Sequence, residues 1–212
     1  MWPFWTREYI NTLATYLLDR SSCCEEKETI ILEIGAGDGR LSHFLRNEFT
    51  HSVQERKTVT KNIPKVIATD DGSWEINHVG PVEKLNAQQA LSKYCADATN
   101  RQVIIICSWM PNGFDWTYLF RYYNVYEYIL IGESDDGNCG HVWHTWGNPD
   151  YSYYNYWSRE ANDEDVEACA VMPPYQFDGY ERIDLEYVSE LQYARFDTCK
   201  SRCSNTISFR KL

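Results

Sequence analysis

The 212-residue sequence has no uninterrupted apolar stretch of the roughly 18 residues that a membrane-spanning helix needs. It also lacks the pattern of a secretory signal, because charges interrupt the apolar residues of its opening segment MWPFWTREY. Disulfides form in oxidising compartments, so its eight cysteines are expected to be mostly free thiols. We expect an intracellular, cytoplasmic protein without a membrane association.

Positive charge is also scarce. The 20 Lys and Arg residues are outnumbered by 31 Asp and Glu residues, and the formal net charge is −11. An acidic surface repels phosphate backbones, so general nucleic-acid binding is disfavoured. The charge fits a small-molecule, cationic or basic-protein partner, and no pattern indicates an oligomeric state.

Short apolar runs rich in β-branched residues alternate with helical patterns along the chain. Strands are predicted at 30–34, 65–70, 82–85, 102–107 and 126–132. Helices are predicted at 6–19 with Thr6 as cap, at 41–49, at 87–95, and at 115–123 with Asp115 as cap. This alternation predicts a parallel sheet with helices on both faces, whose strands end at one ligand-binding edge.

The character of the sequence changes after residue 133. Residues 134–180 concentrate Gly, Asn, Asp, Trp and Tyr without a clear periodicity, whereas residues 185–196 and 205–211 alternate as strands do. The two alternating segments predict a terminal hairpin joined by a cysteine-containing loop. An aromatic excursion therefore precedes the end of the sheet.

A glycine-rich turn follows the first predicted strand, in the segment Glu33 to Gly39. Glycines allow a tight turn and a close approach of ligand to backbone, and the start of the next helix can bind an anion. A dinucleotide-binding G-x-G-x-x-G fingerprint would need glycine at position 40, which is Arg40. The observed spacing is instead G-x-G-x-G, with an acid two residues before the first glycine.

This spacing resembles motif I of the class I S-adenosylmethionine-dependent methyltransferases, and the likeness covers about residues 6–133 and 181–211. The resemblance implies an α/β, Rossmann-like fold in one domain over residues 1–212. Its seven-stranded, mostly parallel sheet would close with a C-terminal antiparallel hairpin. Residues 134–180, after strand 5, would form a lid or substrate-binding insertion.

The resemblance also implies a set of cofactor-binding residues. Asp70 ends the second strand, where the family binds the ribose hydroxyls, and Asp71 is the alternative. Trp74 or Leu85 would flank the adenine. The residues expected to hold S-adenosylmethionine are Glu33, Gly35, Gly37, Gly39, Asp70, Asn86, Ala87 and Ser108.

The acceptor side is less defined, because the SWMP segment after the fourth strand is not the N/D-P-P-[YF] motif of amino-methylating enzymes. The expected reaction is methyl transfer to N, O or S of a small-molecule or protein acceptor. Trp109, Pro111, Trp143 and Trp146 are expected to border that acceptor. Candidate catalytic residues, as general bases, are Glu133, His141 and His144, with Asp135 and Asp136 as competitors.

Three alternatives stay open. Cys139, His141 and His144 have spacings that can hold zinc, but no fourth ligand is evident and no metal is predicted. A methyltransferase-like binding subunit that acts as a scaffold in a larger assembly would keep the fold without catalysis. A nucleotide-binding oxidoreductase is disfavoured by Arg40 and by the terminal hairpin.

Overall fold

A seven-stranded mixed sheet organises the chain into a Rossmann-like α/β fold, with strand order β3-β2-β1-β4-β5-β7-β6. The structure, a computed structural model, describes residues 4–23, 27–56, 63–96, 100–135, 137–151, 172–194, 197 and 204–212. The strands are β1 Glu28–Ile34, β2 Lys65–Asp70, β3 Glu83–Lys84, β4 Arg101–Ser108, β5 Glu127–Glu133, β6 Tyr180–Asp184 and β7 Ser204–Lys211.

Four of the six α-helices in the described part of the chain overlap the predicted helices, although the second extends beyond the predicted 41–49, and the last two, of four residues each, were not predicted. The six helices are α1 Arg7–Ser21, α2 Arg40–Arg56, α3 Ala87–Tyr94, α4 Thr117–Tyr122, α5 Pro174–Phe177 and α6 Glu186–Ser189. Thr6 caps α1 as predicted, because its side chain accepts the backbone N–H of Tyr9. At α4 the N-cap position is Trp116 rather than Asp115, although Asp115 accepts the N–H of Thr117.

The sheet is parallel except at β7, which runs antiparallel to both of its neighbours, β5 and β6. The carboxyl ends of β1 to β6 therefore meet at one edge, called here the carboxyl edge. The mostly parallel sheet with antiparallel C-terminal strands confirms the predicted fold class.

Two cores cover the two faces of the sheet, since the central strands alternate apolar residues between them. On the first face Leu32, Ile105 and Leu130 pack with α3 and α4. On the second face Ile31 and Ile104 pack with α1 and α2. Burial on both faces explains why β4 and β5 read as continuous apolar runs in the sequence.

One strand of the terminal hairpin was misplaced by the sequence pattern. The predicted strand 185–196 contains helix α6, and the strand that pairs with β7 is β6, just before it. Leu185 and Val188, which both lie in the second core, are three residues apart, as one face of a helical turn requires.

In the part of the chain that the structure describes, no helix is long and apolar enough to cross a membrane. The predicted lid lies partly outside the described residues, since the candidate base Asp136 and residues 152–171 are not among them. Its remaining portions, 137–151 and 172–179, connect β5 to β6.

Candidate functional site

The carboxyl edge contains a topological switch point beside β1. From β1 the chain proceeds outward to β2 and β3 on one side, and then returns to β4 on the other side. The loops that leave β1 and β4 therefore diverge, and ligands of open α/β sheets bind in the crevice between such loops.

The turn that leaves β1 has a backbone that only glycine adopts readily. Gly35, Gly37 and Gly39 have φ angles of 70°, 55° and 73°, all in the left-handed region. A Cβ on Gly39 would also lie 2.5 Å from Cγ2 of Val82. All three glycines of the motif are thus required by conformation, and Gly39 by space as well.

Asp70 fastens this turn from the end of β2. Its Oδ2 accepts the N–H of Gly37 at 2.9 Å, and its Oδ1 accepts the N–H of Gly72 at 2.8 Å. The half-buried carboxylate is held by two amides and keeps further lone pairs for hydroxyl donors. Its ribose-binding role stays a prediction.

Glu33 is directed at the first turn of α2. It is only 3 % exposed, and its Oε2 accepts the N–H of Ser42 at 3.1 Å. Burial raises the pKa of the Glu33 carboxyl to about 7, against the opposing effects of Ser42 and Arg46. The geometry gives Glu33 a supporting position under the turn, and direct cofactor contact stays a prediction.

The amides of the turn are mostly committed to the protein itself. Gly37 donates to Asp70, and Gly39 donates to the carbonyl of Ala36 at 2.9 Å. Among the contacts of the described residues, the N–H groups of Asp38 and Leu41 have no acceptor. These two amides at the start of α2 fit a carboxylate ligand.

Asn86 and Ala87 begin α3 next to Asp70. Asn86 accepts the N–H of Gln89 at 2.9 Å, and Gln89 accepts the N–H of Asn86 at 3.1 Å, which forms a capping box. The N–H of Leu85 donates to the carbonyl of Asp70 at 2.9 Å. The Asn86 side chain thus has a structural task, and a contact of this pair with adenine stays a prediction.

The loop that leaves β4 begins with two polar groups that lack partners. The Oγ of Ser108 and the Nε1 of Trp109 are buried atoms with no hydrogen bond to the described part of the chain. Trp109 also has a φ of 57°, which is strained for a bulky side chain. Pro111, two residues further, lies exposed in a turn closed by the N–H of Phe114.

The same loop returns to the glycine-rich turn through Trp116. A Cβ on Gly35 would lie 3.0 Å from Cζ3 of the Trp116 ring, so the indole packs directly against this glycine. The sulfur of Met110 accepts the backbone N–H of Trp116 at 3.4 Å. Trp116 therefore forms a wall of the crevice beside β1.

The loop that leaves β5 joins this wall. The N–H of Gly113 donates to the carbonyl of Gly140 at 2.9 Å, and the N–H of Gly140 donates to Met110 at 3.0 Å. On the far side, Arg182 of β6 makes a bidentate pair with Asp135, at 2.7 and 3.1 Å. Hydrogen bonds thus link the loop that leaves β4, called here the post-β4 loop, to the loop that leaves β5, called here the post-β5 loop. They also link the post-β5 loop to β6.

Glu133, the predicted base at the end of β5, is buried. Its Oε2 accepts both the backbone and the side-chain N–H of Asn138, each at 3.0 Å. These hydrogen bonds hold the loop that leaves β5. This structural role explains the burial of Glu133 without a role in catalysis. Its catalytic role stays a prediction.

His141 and His144 face each other with ring centroids 4.4 Å apart. The Nδ1 of His141 accepts the backbone N–H of His144 at 3.1 Å. Burial and the neighbouring His141 lower the pKa of His144, against the opposing attraction of Asp115. The exposed His144 imidazole is therefore mainly neutral near pH 7 and can accept a proton.

Trp143 and Trp146, predicted to border the acceptor, are both buried. Trp146 belongs to the first core and donates its Nε1 hydrogen to the carbonyl of Cys139 at 2.6 Å. Burial leaves neither ring a broad exposed face for an acceptor, because both fill space beneath the post-β5 loop.

Asp115 is the site residue that the sequence pattern assigned only to helix capping. It stands between the post-β4 and post-β5 loops, with hydrogen bonds to Thr117 and Thr145. The pattern D-x-T signals a local cap, but the contact with Thr145 joins residues 30 positions apart. No spacing within one segment could have revealed it.

Comparison of the chain with protein-family models and with curated proteins found no match in either case. The fold and the geometry of the carboxyl edge therefore stand as the basis for a function.

Proposed function

We propose that this protein is an S-adenosylmethionine-dependent methyltransferase that transfers a methyl group to N, O or S of a small-molecule or protein acceptor. S-adenosylmethionine supplies a methyl group on a positively charged sulfur, which the lone pair of an acceptor atom can attack. The protein has to bind this cofactor and hold the acceptor in line with it.

The observation that carries the proposal is the fastening of the glycine-rich turn by Asp70 at the switch point. The carboxylate bridges Gly37 and Gly72 and still faces the crevice as a half-buried acceptor. A ribose diol needs such an acceptor, and the amides of Asp38 and Leu41 supply donors for the carboxylate end of the cofactor. Both requirements are met within one loop pair.

The acceptor would lie against the post-β4 wall. Ser108 and Trp109 offer a hydroxyl and an indole N–H that lack partners among the described residues. His144 presents a neutral imidazole that can take a proton from the acceptor. Trp116 would separate the turn from the bulk of the acceptor.

Calorimetric titration with S-adenosylmethionine and S-adenosylhomocysteine tests the proposal. We expect micromolar binding to the wild type and at least a tenfold loss in Asp70→Asn. Asn keeps an acceptor for only one of the two amides, of Gly37 or Gly72, and it removes the charge and part of the capacity for the diol, so circular dichroism of the variant has to show that it is folded. Asp19→Asn, an exposed change on α1, is the control for charge and should bind as the wild type does. Absence of binding to folded wild type would refute the proposal.

The position of Trp116 favours a second candidate, a methyltransferase-like binding subunit without catalysis. Its indole covers Gly35, where the cofactor would approach the turn. If the indole is a wall, Trp116→Ala weakens cofactor binding. If it fills the site, Trp116→Ala creates binding that the wild type lacks, and the scaffold explanation is then preferred.

A further inference from the structure

Asp115 is held in an asymmetric way. Its Oδ1 accepts three hydrogen bonds, from the N–H of Thr117 at 3.0 Å, the Oγ1 of Thr117 at 2.5 Å and the Oγ1 of Thr145 at 3.0 Å. Among the described residues, Oδ2 accepts none. The carboxylate is thus fixed in orientation by one oxygen and leaves the other oxygen to a ligand.

Among the described residues, no cation pairs directly with Asp115. The guanidinium of Arg121 donates to the Oγ1 of Thr117 at 2.6 Å and pairs with Asp178 at 2.7 Å. The two acids and one guanidinium leave a formal charge of −1 in this group. Arg121 is almost fully buried, so the surroundings screen this charge less than water would.

The neighbours of Asp115 are aromatic. The next residue, Trp116, packs its ring against Gly35. His144 is also a neighbour, because burial and His141 lower the pKa of its imidazole and the Asp115 carboxylate opposes this shift. A fixed anion with aromatic residues as neighbours is an arrangement that suits organic ammonium groups.

We propose that Asp115 is the acceptor-recognition residue and that the acceptor is an amine, bound as an ammonium ion at Oδ2. The ammonium group has to release one proton, for which His144 is the proposed base, before its nitrogen lone pair can attack the methyl group. The inference that the bound amine is the methyl acceptor rests on the proposed function. Binding of an ammonium group at Asp115 does not depend on cofactor binding. The acidic net charge of the protein agrees with this class, because it attracts cations over a distance.

Three probes of one shape and different charge test the site: phenethylamine, phenethyl alcohol and 3-phenylpropionate. Each is titrated into the full chain without S-adenosylmethionine and followed by ligand-observed NMR. We expect the amine to bind at least tenfold more tightly than the alcohol and the acid not to bind. Added salt should weaken the amine complex, because it screens an ion pair at a partly exposed site.

Asp115→Asn is the central variant. Its Oδ1 retains the acceptor for all three hydrogen bonds, and only the free Oδ2 is replaced, by an NH₂ donor that repels an ammonium group. Amine binding should fall at least tenfold, while Asp19→Asn, which removes the same charge from α1, should bind as the wild type does.

A second pair of variants separates the orientation of the carboxylate from its charge. Thr145→Val keeps the charge but removes one donor to Oδ1 and the acceptor of the His141 N–H, whereas Thr145→Ser keeps the hydroxyl for both. We expect the affinity for the amine to fall about threefold in the valine variant, because Asp115 then samples more rotamers before it binds. The serine variant should keep the affinity of the wild type.

The proposal is overturned if the amine does not bind, if the alcohol binds as well as the amine, or if Asp115→Asn binds the amine like the wild type. Cofactor titration is a separate measurement. Amine binding without cofactor binding would refute the methyltransferase and leave the ammonium site intact. Cofactor binding with no amine preference would refute the site alone.

Discussion

Two carboxylates near opposite edges of the sheet are held in contrasting ways. At the amino end of β5, the fully buried Glu127 has donors on both oxygens: the hydroxyls of Tyr16 and Ser208 on Oε1, and the Nε of Arg20 at 2.6 Å on Oε2. At the carboxyl edge, Asp115 receives its three hydrogen bonds on one oxygen.

The difference separates a structural carboxylate from one that is available for binding. The Glu127 network ties α1 to β5 and β7, and it satisfies the charge within the protein. Removing one member of such a buried network leaves the others unpaired, which is costly. The hydrogen bonds of Asp115 instead fix the orientation of its carboxylate, so its charge contributes little to the free energy of folding.

The largest expected effect breaks the structural side of this comparison. In Glu127→Gln the guanidinium of Arg20 loses its charged partner, and the new NH₂ group faces donors. We expect the free energy of unfolding to fall by about 3–5 kcal/mol. Urea denaturation followed by circular dichroism measures it.

Asp115→Asn is the matched control in that measurement, and we expect a change within about 1 kcal/mol. Equal losses for the two variants would contradict the distinction drawn between the two carboxylates.

A second prediction sharpens the comparison at Glu33, a buried carboxyl with only one backbone donor on Oε2. Because burial raises its pKa in the folded protein from 4.5 to about 7, the folded state holds the proton more tightly than the unfolded state. Its contribution to stability is therefore complete below about pH 4.5, falls as the pH rises to about 7, and stays low above that.

Glu33→Gln removes this titration and keeps an acceptor for the N–H of Ser42. Relative to the wild type, the variant should gain about 3 kcal/mol between pH 5 and pH 8. Urea unfolding of both proteins at several pH values gives the difference curve, in which the other titrating groups cancel. A flat difference curve would show that Glu33 is ionised in the folded protein throughout this range.

The smallest effect concerns two glycines of the carboxyl edge. Gly39 and Gly113 both have left-handed φ angles, of 73° and 77°, but only Gly39 has a neighbour, Val82, in the way of a Cβ. We expect Gly39→Ala to cost about 2 kcal/mol and Gly113→Ala about 1 kcal/mol. Thermal unfolding of the two variants measures these costs. Equal costs would mean that the loop containing Val82 moves to make room for the new Cβ.

Local patterns predicted most of the fold and the position of the glycine-rich turn. The buried runs of β1, β4 and β5 and the glycine-rich turn are local signals, and the structure places them as predicted. The terminal hairpin was misplaced by a few residues, because residues 185–196 alternate in hydropathy while Leu185 and Val188 are also three apart. Burial of both residues favoured the helix.

The proposed acceptor side depends on contacts between loops that lie far apart in the sequence, and a local pattern does not predict such contacts. Trp116 reaches Gly35 across about 80 residues, and Asp115 is oriented by Thr145 from another loop. Trp146 is of a residue type that is common in binding sites, yet its indole N–H donates to the carbonyl of Cys139 inside the core. Only the packing of the two loops distinguishes these outcomes.

The place of β7 has a consequence for the order in which the protein can be assembled during synthesis. β7 lies between β5 and β6, and α1 reaches it through the hydroxyls of Tyr9 and Tyr16, which bond to Thr206 and Ser208. These pairs join residues 197 and 192 positions apart. Until β7 leaves the ribosome, β5 has an unpaired edge, β6 has no neighbouring strand, and α1 lacks its hydrogen bonds to β7. The nascent chain therefore exposes unpaired strand edges, which favour chaperone binding.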